Sequence, residues 1–379
     1  MPRLPPSLFW RARREISPLA AQLLPACRDL QSAANELRWI REHVQDTKSP
    51  IPAKLRVWML VEKRAKGVPL QYVLGTQPFG HLEIKCRSGV LIPRPETEAY
   101  TLHLATPLSQ QSHPAPSSLS ILDLCTGTGC IPLLLLHSLL TTNPSTPTPP
   151  PIHIHGIDIS PQAISLARAN HAHNIALGHL PPAPQSSPRY KLTFSQHDIF
   201  SPTLLHNLPP FQKIDLLVSN PPYISHADFA RTTARAVRNH EPRLALVPPP
   251  PPLGDRDPTS AGYQYQCQPQ DIFYARLLEI VSLLKPERVL MEVGGWEQAL
   301  RVVGLVTGTG DGEKGVGGGC GDVAGKYEVE VWRDEPAVRG KGGERVEVGG
   351  REVVVRGVGK GRAVYLVRRG SIPPSSSSE

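Results

Sequence analysis

Ser120-Ile121-Leu122-Asp123-Leu124-Cys125-Thr126-Gly127-Thr128-Gly129-Cys130 is the stretch on which the fold turns. Its first five residues read as a buried strand, and Ile131 to Leu140 after it as an apolar helix. A strand that breaks into glycines and resumes as a helix is the first turn of an open α/β sheet. Ligands bind there beyond the carboxyl ends of the strands, and the glycines let backbone approach them closely. Asp123, Cys125, Thr126, Gly127, Thr128 and Gly129 therefore form a candidate cofactor loop. The loop departs from the dinucleotide pattern Gly-x-Gly-x-x-Gly, since Pro132 interrupts it and an acid closes the strand, and it lacks the Gly-Lys-Ser/Thr of a phosphate loop. Few phosphate-binding features and an acidic strand end suit a cationic, phosphate-free cofactor such as S-adenosylmethionine.

Outward from this loop the same arrangement repeats. Ile152-His153-Ile154-His155-Gly156-Ile157-Asp158 is a second strand ending in an acid, and Asp158 stands where a carboxylate accepts ribose hydroxyls. Ser160 and Pro161 then supply an N-cap and a first helical residue. A third strand, Tyr190 to Phe194, leads to Asp198 and Ile199, placed to flank an adenine. Any one of these acids could equally cap a helix or face water; their recurrence at successive strand ends favours the cofactor reading. A fourth strand, Ile214 to Ser219, runs into Asn220-Pro221-Pro222-Tyr223. An sp2-attached NH2 is a weak nucleophile that must be held and polarised. The Asn220 side-chain oxygen and the Pro221 carbonyl can each accept one of its hydrogens, the prolines stiffen the loop, and the Tyr223 ring can cover the planar group. A Pro-rich turn would account for these four residues but not for their place at a strand end.

In that order, these motifs resemble the class I methyltransferases. Gly67-Val68-Pro69-Leu70-Gln71-Tyr72-Val73-Leu74-Gly75 and Leu91-Ile92-Pro93-Arg94-Pro95-Glu96-Thr97-Glu98 resemble, more narrowly, the segments preceding the catalytic domain of peptide-chain release-factor glutamine N(5)-methyltransferases, in the fungal or other eukaryotic mitochondrial form. Glu241-Pro242, Leu290-Met291-Glu292-Val293-Gly294 and Arg333-Asp334 follow the family's order. The family usually has Gly where Cys125 stands and often an aromatic where Ile199 stands. The resemblance implies S-adenosyl-L-methionine as cofactor, a release factor as protein substrate, methylation of the glutamine amide in its Gly-Gly-Gln loop, and Arg94, Glu96, Thr97 and Glu241 as supporting residues. A nucleic-acid adenine methyltransferase would share Asn220 to Tyr223, but the Ile92 to Glu98 stretch speaks against it. A non-catalytic protein of the same fold would not need Asn220 or the glycine loop.

Composition sets the bounds. The 379 residues, 40% of them apolar, suffice for one α/β domain and a smaller one. Proline (42) and glycine (31) concentrate in Thr141 to Pro151, Leu180 to Pro188, Pro248 to Pro252, Gly304 to Gly325 and Arg339 to Gly361, all read as loops or insertions. No apolar run approaches the ~20 residues that span a bilayer, so no membrane partner is expected. The six cysteines lack Cys-x-x-Cys spacing and suit a reducing compartment. His153 and His155 share a strand face without an acidic or cysteine partner, and no metal is expected. The net charge of +8 favours an anionic neighbour without choosing one, and no stable nucleic-acid complex is expected. The first 28 residues are basic and acid-poor, as in a transit peptide, though a true first helix reads the same way; the mitochondrial matrix is preferred to the cytoplasm.

These readings lead to an N-terminal helical domain over 1–78, expected to recognise the substrate, with apolar residues near the 3.6 period from Leu19 to Val61. A β-rich connector over 79–110 follows. Residues 111–372 form a Rossmann-like sheet of seven strands, closed by Tyr327 to Trp332 and Ala363 to Arg368, and 373–379 form a disordered tail.

Overall fold

The computed structural model describes residues 3–109, 118–141, 150–182, 189–249, 267–308, 323–338 and 344–370. Most of the expected proline-rich loops, the middle of the Gly304 to Gly325 stretch and the tail 373–379 lie outside the described residues. The helices are α1 (Pro6–Arg11), α2 (Pro18–Cys27), α3 (Leu30–Asp46), α4 (Ala53–Ala65), α5 (Leu70–Leu74), α6 (Pro95–Ser109), α7 (Cys130–Thr141), α8 (Pro161–Ala176), α9 (His226–Arg231), α10 (Arg235–His240), α11 (Ile272–Leu284) and α12 (Trp296–Thr307). The strands are β1 (Thr76–Phe79), β2 (Leu82–Lys85), β3 (Leu119–Leu124), β4 (Ile152–Asp158), β5 (Tyr190–Gln196), β6 (Leu216–Ser219), β7 (Arg288–Glu292), β8 (Tyr327–Glu335), β9 (Glu344–Val348), β10 (Arg351–Arg356) and β11 (Val358–Arg368).

Two compact units result. The first collects Met1–Gln77, Lys85–Ile92 and Thr232–Pro242. Its helices start where the sequence supplies acceptors: the Ser17 hydroxyl takes the Ala20 amide at the head of α2, and Asp29 takes the Ser32 amide at the head of α3. Leu23, Leu24, Leu37, Ile40 and Val61 close one apolar core. Arg64 on α4 grips Glu36 on α3 through two bonds of 2.6 and 2.9 Å. The basic start of the chain is helical here: Arg11 ends α1, and Arg13 and Arg14 lie in a wider helical turn, Ala12–Ile16, between α1 and α2.

The second unit, Pro78–Ile84, Pro93–Arg231 and Arg243–Glu379, carries the large sheet. Strand order is β5-β4-β3-β6-β7-β11-β8-β10-β9. The first five run parallel, and β11 lies antiparallel between β7 and β8. Alternate residues serve opposite faces. Ile121, Leu216 and Leu290 pack with Tyr100, Leu104 and Leu134 of α6 and α7, whereas Leu122, Leu217 and Met291 pack with Tyr274, Leu277 and Val302 of α11 and α12.

Two expectations need correction. Among the described residues the sheet has nine strands rather than seven, because part of the glycine-rich stretch after Arg339 folds into β9 and β10. Val353 and Val355 alternate inward at 1% and 5% exposure, a period-2 signal that the surrounding glycines hid. The connector over 79–110 is β only at its beginning, since Pro95–Ser109 is helix; proline is well placed in a first helical turn.

Candidate active site

The sheet reverses its winding between β3 and β6, so their carboxyl ends form the switch point where such sheets bind ligands. The loop leaving β3 turns through positive φ at Cys125 (64°), Gly127 (54°) and Gly129 (77°). Three backbone bonds pin it: Thr126 amide to Ile157 carbonyl at 2.8 Å, Gly129 amide to Thr126 carbonyl at 2.9 Å, and Gly127 amide to Asp158 Oδ2 at 2.9 Å. Asp158 Oδ1 takes the Ser160 amide at 2.9 Å, so one carboxylate sets both the loop and the exit of β4. Asn170 of α8, which the sequence did not single out, donates to the Thr128 carbonyl at 2.9 Å. A Cβ on Gly156 would meet Thr126 Oγ1 at 2.8 Å, which explains glycine inside β4.

Asp123 is fully buried with Thr126 beside it, and among the described residues neither its oxygens nor Thr126 Oγ1 makes a well-formed hydrogen bond. Burial pushes this carboxyl up to about 8. Buried polar groups are normally paired, and a Cβ on Gly127 would meet nothing within 4 Å. Acceptors in waiting beside open space fit the cationic amino-acid end of S-adenosylmethionine.

Further along the sheet edge, the His197 amide donates to the Asp158 carbonyl at 3.1 Å and sets the ends of β4 and β5 side by side. Asp198 is exposed and takes the Phe200 amide at 2.9 Å. Ile199 points into the core at 4% exposure. Phe200, half-buried beside it, stands edge-on to Phe273 at 5.0 Å between ring centres. Arg276 of α11 fixes this turn, donating to the carbonyls of Ile199 at 2.7 Å and Ser201 at 3.3 Å. Phe200 was legible as an aromatic next to Ile199; Arg276, 77 residues away, had no local signal.

On the other side of the switch point the Ser219 hydroxyl donates to the Leu124 carbonyl at 2.8 Å, tying the strand before Asn220 to the strand before the cofactor loop. Pro221 and Pro222 are buried, while Asn220 and Tyr223 are half-buried. Among the described residues no hydrogen bond uses the Asn220 side chain. Tyr223 is held at both ends: its hydroxyl donates to Glu292 Oε1 at 3.2 Å, and its carbonyl accepts from Gln298 Nε2 at 3.2 Å. Burial raises the Tyr223 phenol well above its usual range, with the Glu292 charge adding to it, and burial raises the Glu292 carboxyl as well.

Of the expected supporting residues, Thr97 donates to Glu292 Oε2 at 2.7 Å. Glu96 lies 3.9 Å from Arg362, which in turn bonds Asp334 at 2.8 Å. The Arg94 carbonyl takes the Glu98 amide at 3.2 Å at the head of α6. Within the helical unit, Glu241 accepts the Ile92 amide at 3.1 Å. His155 lies between the Thr193 and Ser195 hydroxyls at 2.7 and 2.8 Å, and burial lowers it to about 4, a neutral core histidine. Among the described residues no cluster of His, Cys, Asp or Glu could hold a metal, and no helix is long and apolar enough to cross a membrane.

No family model matches the chain. Curated relatives do. The chain is 39% identical over 250 residues to the mitochondrial MRF1 N(5)-glutamine methyltransferase MTQ1 of Saccharomyces cerevisiae, covering 65% of this chain and 68% of that one. It is 34% identical over 246 residues to the release factor glutamine methyltransferase of Pasteurella multocida, covering 64% and 69%. It is 30% identical over 248 residues to that of Bacillus subtilis, covering 65% and 69%. Solved structures superpose loosely: an S-adenosylmethionine-dependent methyltransferase from Agrobacterium tumefaciens gives a TM-score of 0.36 at 10% identity over 77% of this chain and 69% of that one, which adds no weight.

Proposed function

The chain belongs to the release factor glutamine methyltransferases, and from that premise we propose how its own residues carry the reaction. The enzyme methylates the side-chain amide nitrogen of a release-factor glutamine and uses S-adenosylmethionine. When bound, this cofactor supplies an electrophilic methyl group. Cys125 to Gly129 would hold it through backbone, with Asp123 toward its cationic end. Asp158 would take the ribose hydroxyls. Asp198 and Phe200 would flank the adenine, with Ile199 behind them in the core.

The glutamine of a Gly-Gly-Gln loop enters beside Tyr223. The Asn220 side-chain oxygen and the Pro221 carbonyl each accept one hydrogen of its amide, which aims the nitrogen and withholds other orientations. Tyr223 covers the planar group. No strong base is needed, because the methylated nitrogen can lose its proton to water. The observation that carries this reading is the half-buried Asn220 amide, without a partner among the described residues, at the end of a strand bonded to the cofactor strand.

Methyl transfer from labelled cofactor to purified release factor, with duplex DNA as a parallel acceptor, tests it. Asn220→Ala should lose roughly 10²-fold or more in rate, the scale of one lost preorganised contact, with cofactor affinity kept; Asn220→Asp should retain more. Label in DNA alone, or wild-type rates in both variants, would refute the assignment. The basic first residues, with Arg3, Arg11, Arg13 and Arg14, and the mitochondrial name of the yeast relative support a matrix location, which microscopy of a C-terminally tagged chain would check.

A further inference from the structure

The stretch Leu91 to Glu98 takes no part in the chemistry outlined above, and Glu292 is a carboxylate at 1% exposure with no assigned task. The two meet. Glu292 spends one oxygen on Thr97 Oγ1 at 2.7 Å and the other on the Tyr223 hydroxyl at 3.2 Å. We propose that Glu292 is a positioning residue for methyl transfer, acting through Tyr223, with Thr97 fixing its second oxygen; the proposal rests on the reading of Asn220 to Tyr223 as the substrate pocket.

The geometry around Tyr223 argues for this over a purely structural role. A tyrosine ring beside a bound amide is useful only if it stays in one rotamer, and this side chain is partly exposed. Its backbone carbonyl is tied by Gln298 at 3.2 Å. Its ring lies against Gly294, where an added Cβ would come within 3.0 Å of Cδ2, so the lack of a side chain there lets the ring lie flat. Gln298 Oε1 also takes the Gly294 amide at 2.8 Å, and Gln298 Nε2 bonds Asp271 at 2.7 Å, which makes the wall behind the ring stiff. The remaining freedom is rotation that swings the hydroxyl away, and among the described residues Glu292 is the hydrogen-bond partner that opposes it. Neither Thr97 nor Glu292 needs to touch the substrate. Their effect is the fraction of enzyme whose pocket is already shaped for a planar amide.

A double-mutant cycle on Tyr223→Phe and Glu292→Gln reads the proposal. Each single variant should lower kcat about tenfold, with the cofactor Kd within about twofold of wild type, and the double variant should fall about tenfold, not a hundredfold, because both cut the same link. Multiplying losses, or a wild-type rate in Tyr223→Phe, would overturn it. Should Glu292→Gln not fold, Thr97→Val takes its place in the cycle with the same expectation. If wild-type enzyme labels no release factor, the proposed function fails by itself. The positioning role is then read from 19F NMR of protein carrying 3-fluorotyrosine: the Tyr223 line, assigned by its loss in Tyr223→Phe, should be sharp in wild type and shifted and broadened in Glu292→Gln. An unchanged line would sink it.

Discussion

Cys125 holds a backbone angle suited to glycine, at φ 64° in the turn that must accept the cofactor. A side chain there costs about 1–2 kcal/mol relative to glycine. Cys125→Ala keeps that cost and loses the sulfur's packing, whereas Cys125→Gly sheds it. The glycine variant should therefore be more stable than the alanine variant by about 1 kcal/mol, seen as a melting point higher by ~2–4 °C in cofactor-free protein. Asp123 makes a pH-dependent contribution of definite sign. Its folded-state carboxyl sits at about 8, above the ~3.9 of an unfolded chain. The folded form therefore prefers the proton, and stability falls as pH rises from ~4 to ~8 and then levels. Asp123→Asn should come nearest to wild type at or below pH ~4 and surpass it by a margin that widens up to pH ~8 and then holds to pH ~9 in urea denaturation, while binding cofactor more weakly by calorimetry. A wild type that is the more stable form at pH 9 would contradict a carboxyl that burial raises in the folded state.

Among the elements, the β9–β10 hairpin is an addition at the sheet edge, and it can be tested as one. Val358 on β11 already pairs with Glu335 on β8, so residues 336–357 can be replaced by an Asn-Gly turn joining two strands in register. The excised protein should keep cofactor affinity and methyl transfer, since none of the site residues lies in the removed segment, but should aggregate more readily because β8 becomes an open edge. Gel filtration and an activity assay would check both halves. In the intact chain that edge is β9, whose Glu344, Arg345 and Glu347 discourage further pairing. The parallel strands β3, β4 and β6 were legible because apolar residues run into a chemical punctuation mark: Gly127 to Gly129, Asp158 with Ser160, or Asn220 to Tyr223. The hairpin was not, since glycine-rich composition outweighed a short alternation. Glu292 sat inside a recognised run, but nothing local told that its oxygens would be shared between Thr97, 195 residues away, and Tyr223, 69 away. Pairing across a sheet is a tertiary fact.

At the scale of the whole chain, the helical unit is not a prefix. The Tyr72 hydroxyl donates to the Val90 carbonyl at 2.7 Å, and the Cys86 amide donates to the Gly75 carbonyl at 2.8 Å. Removing residues 1–77 strands these groups together with the Ile92–Glu241 bond of 3.1 Å that buttresses them. A 78–379 fragment should accordingly lose amide-exchange protection over 85–92 and 232–242, while β3, β4 and β6 keep theirs; full protection in both segments would show that they fold without the helices. The backbone changes unit five times, at 77/78, 84/85, 92/93, 231/232 and 242/243. For recombination between related genes this matters: one crossover near codon 78 would join the helices of one parent to the threads at 85–92 and 232–242 of the other. Exchange of the helical unit needs three coordinated insertions, so its lineage should track that of the catalytic sheet rather than shuffle independently of it.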